Sequence, residues 1–476
     1  MPAGACTVTG LEQATIGTGR LMKPAAAAGR GAPLGLWTAT ALVVGNMIGS
    51  GLFLLPAALA PFGAAAFLGW GLSAAGAMSL AVVFAWLALR HPVRGGPYAY
   101  ARLAFGDGAG FLVAWSYWIS IWSGNAAIAV AFTGYLGRLV PAFTASPAAA
   151  AATALGAVWL CTLTNIAGVR AAGLVQLVTT VLKLLPLATI AVFGVWYVQP
   201  ADFVPFDRAG LGLWPAASVT AAMTLWAFLG LESATVPAED VRDAARIVPR
   251  ATLLGTALAG TATVLACMTV VLRLPAGAPP SAAPFADVAA RLWGPAAGTT
   301  FGAAAAIACY GALNGWVLLQ GQVPLAAARD GLFPALFAWP GNGRAPLAGL
   351  LLSSTLASGL VLANYQKDLV GLFTFVLLLA TAATLLPFLM CAAAFLKLDR
   401  GRGPSHRPAV AAGALVFSVA ALLATGAEAL AWGTVLVAAG VPLYLWRTAR
   451  LRRTISPCWS KLRPTHTSVR ARACPP

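Results

Sequence analysis

The stretch that decides the fold is VVGNMIGSGLFLLPAAL, residues 43–59. It is apolar enough for a membrane helix, yet its centre is Gly49-Ser50-Gly51, and Pro56 follows closely. Glycine and proline both weaken the interior of a helix. A span that only anchors a chain gains nothing from such a centre. We therefore expect a helix that is interrupted inside the membrane because the interruption has a function.

The composition places the chain in a membrane. Of its 476 residues, 60% are hydrophobic and 9% are charged, whereas soluble proteins carry about 25% charged residues. Apolar runs of about 17 to 25 residues are long enough to span a bilayer as helices. Such runs predict an all-α integral membrane protein with twelve transmembrane helices, near 34–59, 63–89, 110–136, 147–169, 173–198, 214–236, 251–272, 296–328, 346–363, 369–396, 409–425 and 429–446.

The basic residues predict the orientation. Most of the 30 Lys and Arg residues fall on one side of the predicted spans, and this side is normally cytoplasmic. Both termini are therefore expected in the cytoplasm, with residues 1–33 and 447–476 as tails. The net charge of +17 then needs no nucleic-acid partner. The basic C-terminal tail either binds anionic lipid headgroups or is simply solvated.

The seven cysteines predict neither a disulfide framework nor a metal site. None falls in a predicted outer loop, where an oxidising environment would favour disulfides. Their spacing matches no metal-binding pattern. We expect no metal and no cofactor.

Two charged residues lie deep within predicted spans, Lys183 in span five and Glu232 in span six. Ionisable groups at this depth are costly and generally functional, the alternative being a buried structural hydrogen bond. Glu232 belongs to LWAFLGLESATV, residues 225–236, in which Gly230 also weakens the helix. Span six is thus predicted to be interrupted, as span one is.

The two interrupted spans are five apart, which indicates two inverted repeats of five helices with a site at the membrane midplane. The repeats are expected at 34–198 and 199–396, followed by two further helices at 397–446. Free N–H groups at the first interruption would hold a carboxylate, and carbonyls at the second would hold an ammonium. Together the two interruptions would form a receptor for an amino acid. A glycine-rich packing face explains the first motif but not Glu232.

Aromatic residues at helical spacing would complete the pocket. Tyr117 and Asn125 lie in span three, Trp226 in span six and Trp316 in span eight. Aromatic rings can enclose an aliphatic stem and attract a cationic tip. Each of these residues taken alone fits a packing role equally well.

At this point the chain resembles a known family, the amino acid–polyamine–organocation transporters, and within it the bacterial basic amino acid/polyamine antiporters. The resemblance covers about residues 36–400. It is carried by GNMIGSGLFLLPAALA, RGGPYAYARLAFG, YWISIWSGN, LWAFLGLESATV, DVRDAARIVPRAT and ARDGLFP, which occur in the family's order. It implies the leucine-transporter fold in a bacterial inner membrane, and it allows a homodimer.

The resemblance also implies roles for individual residues. Backbone groups at the two interruptions would hold the amino-acid head, the carboxylate at Ser50 and Gly51, and the α-ammonium at the carbonyls of Met47, Trp226 and Leu229. Trp316 and Asn125 would face the substrate side chain, Tyr117 and Trp226 would act as gates, and Glu232 would exchange a proton.

Two departures from the family pattern bear on the substrate. Where the family's arginine exchangers carry a span-ten hydroxyl that contacts the guanidinium, this chain has Ala380 beside Thr381. Lys183 replaces a small apolar residue, and its ammonium resembles a built-in substitute for sodium, which implies coupling to protons. We expect a secondary active transporter of the arginine/agmatine exchange type. A proton-coupled permease or exporter of neutral amino acids is the alternative.

Other function classes fit the sequence poorly. An intramembrane protease or metalloenzyme needs histidine at membrane depth, but His91, His406 and His466 all lie outside the predicted spans. Ion channels need rings of charge or carbonyls around a pore, and no segment suggests one. We therefore expect no enzymatic activity.

Overall fold

A computed structural model describes residues 35–48, 50–91, 93, 95–167, 182, 184–235, 241–275, 277, 279–338, 346–399 and 406–448. These residues belong to one compact unit that spans residues 34–476. All secondary-structure elements assigned within the described residues are helices. Helices satisfy their own backbone hydrogen bonds, which lipid cannot do for them. The all-α prediction is confirmed.

Fifteen helices can be numbered along the described part of the chain. They are α1 (Leu36–Met47), α2 (Leu55–Leu59), α3 (Ala66–Arg90), α4 (Pro97–Phe105), α5 (Asp107–Leu139), α6 (Pro147–Ala167), α7 (Leu184–Tyr197), α8 (Leu213–Leu225), α9 (Ala244–Arg273), α10 (Pro284–Trp293), α11 (Pro295–Arg329), α12 (Leu347–Ala363), α13 (Leu369–Leu398), α14 (His406–Ala424) and α15 (Ala427–Ala438). Within the described residues, nine helical segments are long and apolar enough to cross a membrane, and three shorter helices are also apolar.

The described helices overlap the predicted spans except α4 and α10, which lie between spans and were not predicted. Span five, predicted at 173–198, is described as a continuous helix only from Leu184 onward, so Lys183 lies outside the described residues. The spans at 296–328 and 369–396 correspond to α11 with 35 residues and α13 with 30 residues. Both exceed the roughly 20 residues that cross the hydrocarbon core, as their long apolar runs predict.

The first predicted interruption is present. Helix α1 ends at Met47, and Ile48 leaves the helical region with a ψ of 73°. The chain resumes as a short 3₁₀ helix, Ser50–Phe53, before α2 begins. Proline at the start of a helix costs little because its missing N–H would be unpaired there anyway, which explains why Pro56 is tolerated in α2.

The second predicted interruption follows α8. Two 3₁₀ turns, Trp226–Phe228 and Ser233–Thr235, flank a non-helical link. Leu229 is extended with a ψ of 136°, and Gly230 has a φ of 102°. Only glycine adopts such a φ without strain. The glycine that marks this site in the sequence is therefore the residue at which the helix breaks.

Helix α5 is the central element of the fold. It is buried along almost its whole length, and its most apolar stretch is 89% buried. The Ser116 hydroxyl donates to the Ala383 carbonyl of α13 at 2.6 Å. A side-chain bond to the backbone of a neighbouring helix fixes the register between the two helices. Helix α5 therefore presents defined faces to its neighbours.

Several charged side chains within the described ranges form ion pairs near helix ends. Arg90 at the end of α3 pairs with Asp399 after α13, and Arg273 at the end of α9 pairs with Asp202 at 2.9 Å. Charges near helix ends stay close to the membrane surface, where they cost little. By contrast, Cys161, Cys267, Cys309 and Cys391 lie inside helices as fully buried thiols that form no disulfide within the described residues.

Candidate functional site

A cavity lies where the two interruptions meet α5, α11 and α13. Its volume is about 30 Å³, enough for one or two water molecules. It is lined by Asn46, Met47, Tyr117, Ser120, Ile121, Gly124, Ile128, Trp226, Leu229, Glu232, Trp316 and Thr384. The cavity must widen before it can admit an amino acid.

The two interruptions touch at the cavity. The Asn46 amide of α1 donates to the Ser233 hydroxyl of the second interruption at 2.9 Å. A Cβ added to Gly230 would lie 3.0 Å from the Asn46 carbonyl carbon and 3.1 Å from the Met47 nitrogen. Glycine at position 230 thus permits both the backbone turn and the close approach. Neither helix break can shift far without the other.

Glu232 is fully buried beside the cavity. Its Oε1 accepts from the Tyr117 hydroxyl at 2.8 Å, and its Oε2 accepts from the Gly230 backbone N–H at 3.2 Å. A tyrosine hydroxyl can donate or accept, whereas a backbone N–H only donates. A proton placed on Oε1 could be donated to Tyr117 while Oε2 kept its bond. The carboxyl can therefore change its protonation state without moving a heavy atom.

Aromatic rings set the width of the cavity. Trp226, Trp316 and Tyr117 all line it. A Cβ added to Gly124 would lie 2.8 Å from Cη2 of Trp226, so the indole ring rests directly on the bare backbone of α5. Any larger residue at position 124 would displace the ring.

Ser120 and Thr384, two residues that carry hydroxyls, form a further part of the cavity wall. Ser120 on α5 donates to the Tyr117 carbonyl at 2.7 Å, and Thr384 on α13 donates to the Ala380 carbonyl at 3.0 Å. Each hydroxyl donates its one hydrogen to a carbonyl and keeps lone pairs that can accept a further hydrogen bond. We call Ser120 and Thr384 the hydroxyl wall.

Comparison with known proteins shows the family of the chain. The amino acid permease family matches residues 34–443. The chain belongs to this family of membrane transporters. The permease is 32% identical over 367 residues to the cadaverine/lysine antiporter of Escherichia coli, an alignment that covers 75% of the permease and 81% of the relative.

Two further relatives cover as much of the permease. A putative arginine/ornithine antiporter of Bacillus subtilis is 32% identical over 401 residues, covering 76% of the permease and 84% of the relative. The putrescine transporter PotE of Escherichia coli is 31% identical over 424 residues, covering 86% of the permease and 95% of the relative. The resemblance inferred from the motifs, to the basic amino acid/polyamine branch of the superfamily, is confirmed.

The structure brings most of the predicted site residues of the permease together. Met47, Tyr117, Trp226, Leu229 and Trp316 all line the cavity, as does Glu232. The backbones of Ser50 and Gly51 form the 3₁₀ helix that follows the first interruption. Their side chains and Lys183 are outside the part of the structure that is described.

Among the predicted site residues whose side chains the structure describes, Asn125 alone does not line the cavity. It is fully buried, and its Nδ2 donates to Oε1 of Gln320 on α11 at 2.7 Å. Gln320 in turn donates to Ser354 of α12 at 2.7 Å, and Ser354 shares a hydrogen with Thr162 of α6 at 2.6 Å. We call Asn125, Gln320, Ser354 and Thr162 the polar network. It joins four helices behind the cavity.

Sequence reasoning missed several cavity residues. Ser120 and Gly124 lie three and seven positions after Tyr117, which is one face of a helix with about 3.6 residues per turn. This spacing could have identified them. On α13, Ala380 and Thr381 are buried but do not line the cavity. Thr384, one turn further on, is the residue of span ten that lines the cavity and carries a hydroxyl.

Proposed function

We propose that this permease is a secondary active antiporter that exchanges a basic amino acid for a polyamine by alternating access. The observation that carries the proposal is the cavity at the meeting point of two helix interruptions, with a buried carboxyl group and an aromatic wall. Unpaired backbone groups at membrane depth are tolerated only where they line a cavity. The three named relatives act on lysine and cadaverine, arginine and ornithine, or putrescine, which supports cationic substrates.

The amino-acid head would bind between the interruptions. We propose that N–H groups at Ser50 and Gly51 hold the carboxylate, because a helix start after a break carries a partial positive charge. The α-ammonium would bind the carbonyls of Met47, Trp226 and Leu229. The Trp226 carbonyl already accepts the Leu229 N–H at 3.2 Å, but each carbonyl has two lone pairs. It can therefore accept a second hydrogen bond.

The cationic tip would lie against the aromatic wall. Trp316 and Trp226 offer ring faces, which attract cations by about 1–2 kcal/mol. Tyr117 and Trp226 would act as gates, since Trp226 rests on Gly124 and must move before the cavity can widen. The predicted contact of Asn125 with the substrate loses support, because its amide is engaged by Gln320.

Proton coupling is proposed for two residues. Glu232 suits the role because its partners accommodate both protonation states in place. Lys183 is a second candidate from the sequence, since its ammonium would make a sodium ion redundant. Lys183→Ala should abolish uptake driven by a pH gradient, and Lys183→Arg should not restore it, because arginine does not release its proton. Strict sodium dependence of the wild type would contradict this assignment.

The finer architecture is also a proposal. We propose twelve transmembrane helices, with inverted repeats at 34–198 and 199–396, two added helices at 397–446, and tails at 1–33 and 447–476. Both termini would face the cytoplasm of a bacterial inner membrane. The interruptions of the first and sixth spans support the repeat, because discontinuous helices occupy equivalent positions in inverted repeats. A homodimer is compatible with this arrangement.

Counterflow in proteoliposomes tests the function. Vesicles loaded with one unlabelled substrate should accumulate a second, labelled substrate from outside. The two substrates of each pair are chosen from lysine, ornithine, arginine, cadaverine, putrescine and agmatine. Leucine and methionine report the neutral permease or exporter, which is the competing function. Exchange of neutral amino acids without exchange of any cationic substrate would reject the proposal in favour of that alternative.

A further inference from the structure

A second cavity, far from the central one, opens at the ends of α4 and α13 and the start of α14. The proposed orientation places this end of the helices on the cytoplasmic side. The cavity has a volume of about 510 Å³. We call it the inner groove, and its lining includes Phe105, Ala393, Phe395, Lys397, Asp399 and Pro408. We infer that the inner groove binds an anionic phospholipid of the cytoplasmic leaflet.

The apolar part of the inner groove continues into an exposed apolar surface. Phe105 at the end of α4 leaves 39% of its surface exposed, and Leu103 on the same helix leaves 49% exposed. Large apolar side chains that are exposed together mark a surface for a membrane or another apolar partner. Acyl chains of a lipid in the groove would lie against this surface.

Two cations stand over aromatic rings at the edge of the groove. The Nζ of Lys397 lies 5.0 Å from the centre of the Phe105 ring, and the Cζ of Arg407 lies 5.3 Å from the Trp86 ring. Trp86 stacks on Phe395 of the groove with ring centres 5.2 Å apart, so both cations border the same space. A ring face positions a cation but has no lone pair. The N–H donors of both cations can therefore bind an anion.

The acidic residue of the groove does not cancel these charges. Asp399 forms an ion pair with Arg90 at the end of α3. Among the residues that the structure describes, neither Lys397 nor Arg407 forms an ion pair. The carboxylate is thus balanced by Arg90, and two positive charges at the groove remain uncompensated.

An anionic phospholipid matches both halves of the groove. Its phosphate would lie between the two cations, and its acyl chains would cover the apolar side. Basic pockets between transmembrane helices on the cytoplasmic side commonly bind such headgroups. The protein's own tails are poorly suited to the groove. Residues 449–476 contain seven Lys and Arg and no Asp or Glu, and residues 1–33 contain three and one, so both tails are positively charged and would be repelled.

Native mass spectrometry of the full-length protein in detergent tests the inference by counting bound lipids. The protein is titrated with a phosphatidylglycerol, with a phosphatidylcholine that has the same acyl chains, and with glycerol 3-phosphate. Phosphatidylglycerol should bind at least about tenfold more tightly than either, because two charges each contribute to its binding. Equal binding of the two lipids would overturn the inference. Equal binding of glycerol 3-phosphate would overturn the assignment of a lipid as the ligand.

This measurement is independent of the proposed transport function. Lipid binding is recorded in detergent without any substrate or exchange. A protein that binds phosphatidylglycerol as expected but exchanges no cationic substrate would contradict the proposed function alone. A protein that exchanges substrates but has no preference for the anionic lipid would contradict the inference alone.

Two charge variants locate the lipid at the groove. Lys397→Gln and Arg407→Gln should each weaken the binding of phosphatidylglycerol about fivefold, the effect of one basic residue near a membrane surface, with little change for phosphatidylcholine. Arg250→Gln is the matched control, because Arg250 is an exposed arginine near the start of α9 that does not line the groove. Lipid bound by the tails contributes equally to all three variants. Unchanged affinity in both groove variants, or an equal loss in the control, would overturn the inference.

A third variant tests the shape of the groove separately from its charge. Ala393→Leu partly fills the groove while both cations remain, so phosphatidylglycerol should bind severalfold more weakly. Ala412→Leu is the control, since Ala412 is exposed on α14 and does not line the groove. Thermal unfolding in detergent without added lipid verifies that both variants are folded. Full lipid binding by a folded Ala393→Leu protein would show that surface charge alone attracts the lipid, and would overturn the assignment of the groove.

Discussion

Two faces of α5 carry polar residues, and they differ in what their hydrogen bonds do. On the cavity face, Ser120 keeps free acceptor capacity and Gly124 leaves room for a ring. On the network face, the Asn125 amide donates to Gln320, and the Trp118 indole donates to Ser353 at 2.7 Å. Polarity alone does not distinguish a binding surface from a structural one. What distinguishes them is whether hydrogen-bonding capacity remains for a ligand.

This difference sets the expected sizes of mutational effects. Hydrogen bonds between membrane helices contribute on average about 0.6 kcal/mol, so the polar network should tolerate the loss of one member. Substitution of a cavity residue, by contrast, changes the groups that would contact the substrate. The following variants test whether the two faces of α5 differ in this way.

The largest effect is expected from Gly124→Leu. The new side chain would occupy the cavity and collide with Trp226, whose ring a Cβ would already approach to 2.8 Å. Exchange should fall by about a hundredfold or more, which corresponds to roughly 3 kcal/mol. Counterflow measures this loss. Gly156→Leu on α6 is the control, because its Cβ would meet nothing within 4 Å, and it should be active.

The next largest effect is expected from Gly230→Ala. The φ of 102° is unfavourable for alanine, and its Cβ would lie 3.0 Å from the Asn46 carbonyl carbon. Strained backbone of this kind costs about 1–3 kcal/mol, so transport should fall roughly tenfold as the interruptions separate. Gly210→Ala also has a positive φ, of 65°, but meets nothing within 4 Å. Equal losses in both variants would show that contact between the interruptions is unimportant.

Glu232→Gln should change the pH profile more than the rate. The glutamine carbonyl can accept from Gly230 while its NH₂ donates to a turned Tyr117 hydroxyl, so the variant imitates the protonated acid. Exchange should persist with a flat dependence on pH, measured by counterflow between about pH 5 and 8, the range of proton-linked switching. A profile identical to that of the wild type would reduce Glu232 to a structural partner.

The smallest effect is expected in the polar network. Thr162→Val removes one partner of Ser354 and should lower thermal stability by no more than about 1 kcal/mol, without changing substrate affinity. Thr355→Val on α12 is the control, since its hydroxyl bonds only the Leu351 carbonyl of its own helix. A large change in affinity in Thr162→Val would mean that the two faces of α5 are coupled.

The helix interruptions could be predicted from the sequence because they contain residue types that an ordinary membrane span avoids. Glycine, proline and a buried carboxylate are all unfavourable in an ordinary span, so Gly230 and Glu232 stand out without any structure. Met47, Trp226 and Leu229 were assigned by resemblance to the family, and all three line the cavity.

The orientation of Asn125 could not be predicted in this way. Helix α5 is buried all round, so hydropathy does not identify which face borders the cavity. Asn125 lies about 100° around the helix from Gly124, and its neighbour across the helix interface, Gln320, comes 195 positions later. On α13, hydropathy likewise does not show whether Ala380 or Thr384, one turn later, lines the cavity.

The four buried cysteines have a practical consequence for measuring motion. Thiols react with labelling reagents only when they are accessible, so Cys161, Cys267, Cys309 and Cys391 should remain unmodified in the folded protein. A cysteine pair at exposed loop positions such as Ala145, before α6, and Ala209, before α8, could then carry a donor and an acceptor dye once the tail cysteines are replaced. The distance between these dyes would report directly whether the helices of the polar network move against the interrupted ones during each transport cycle.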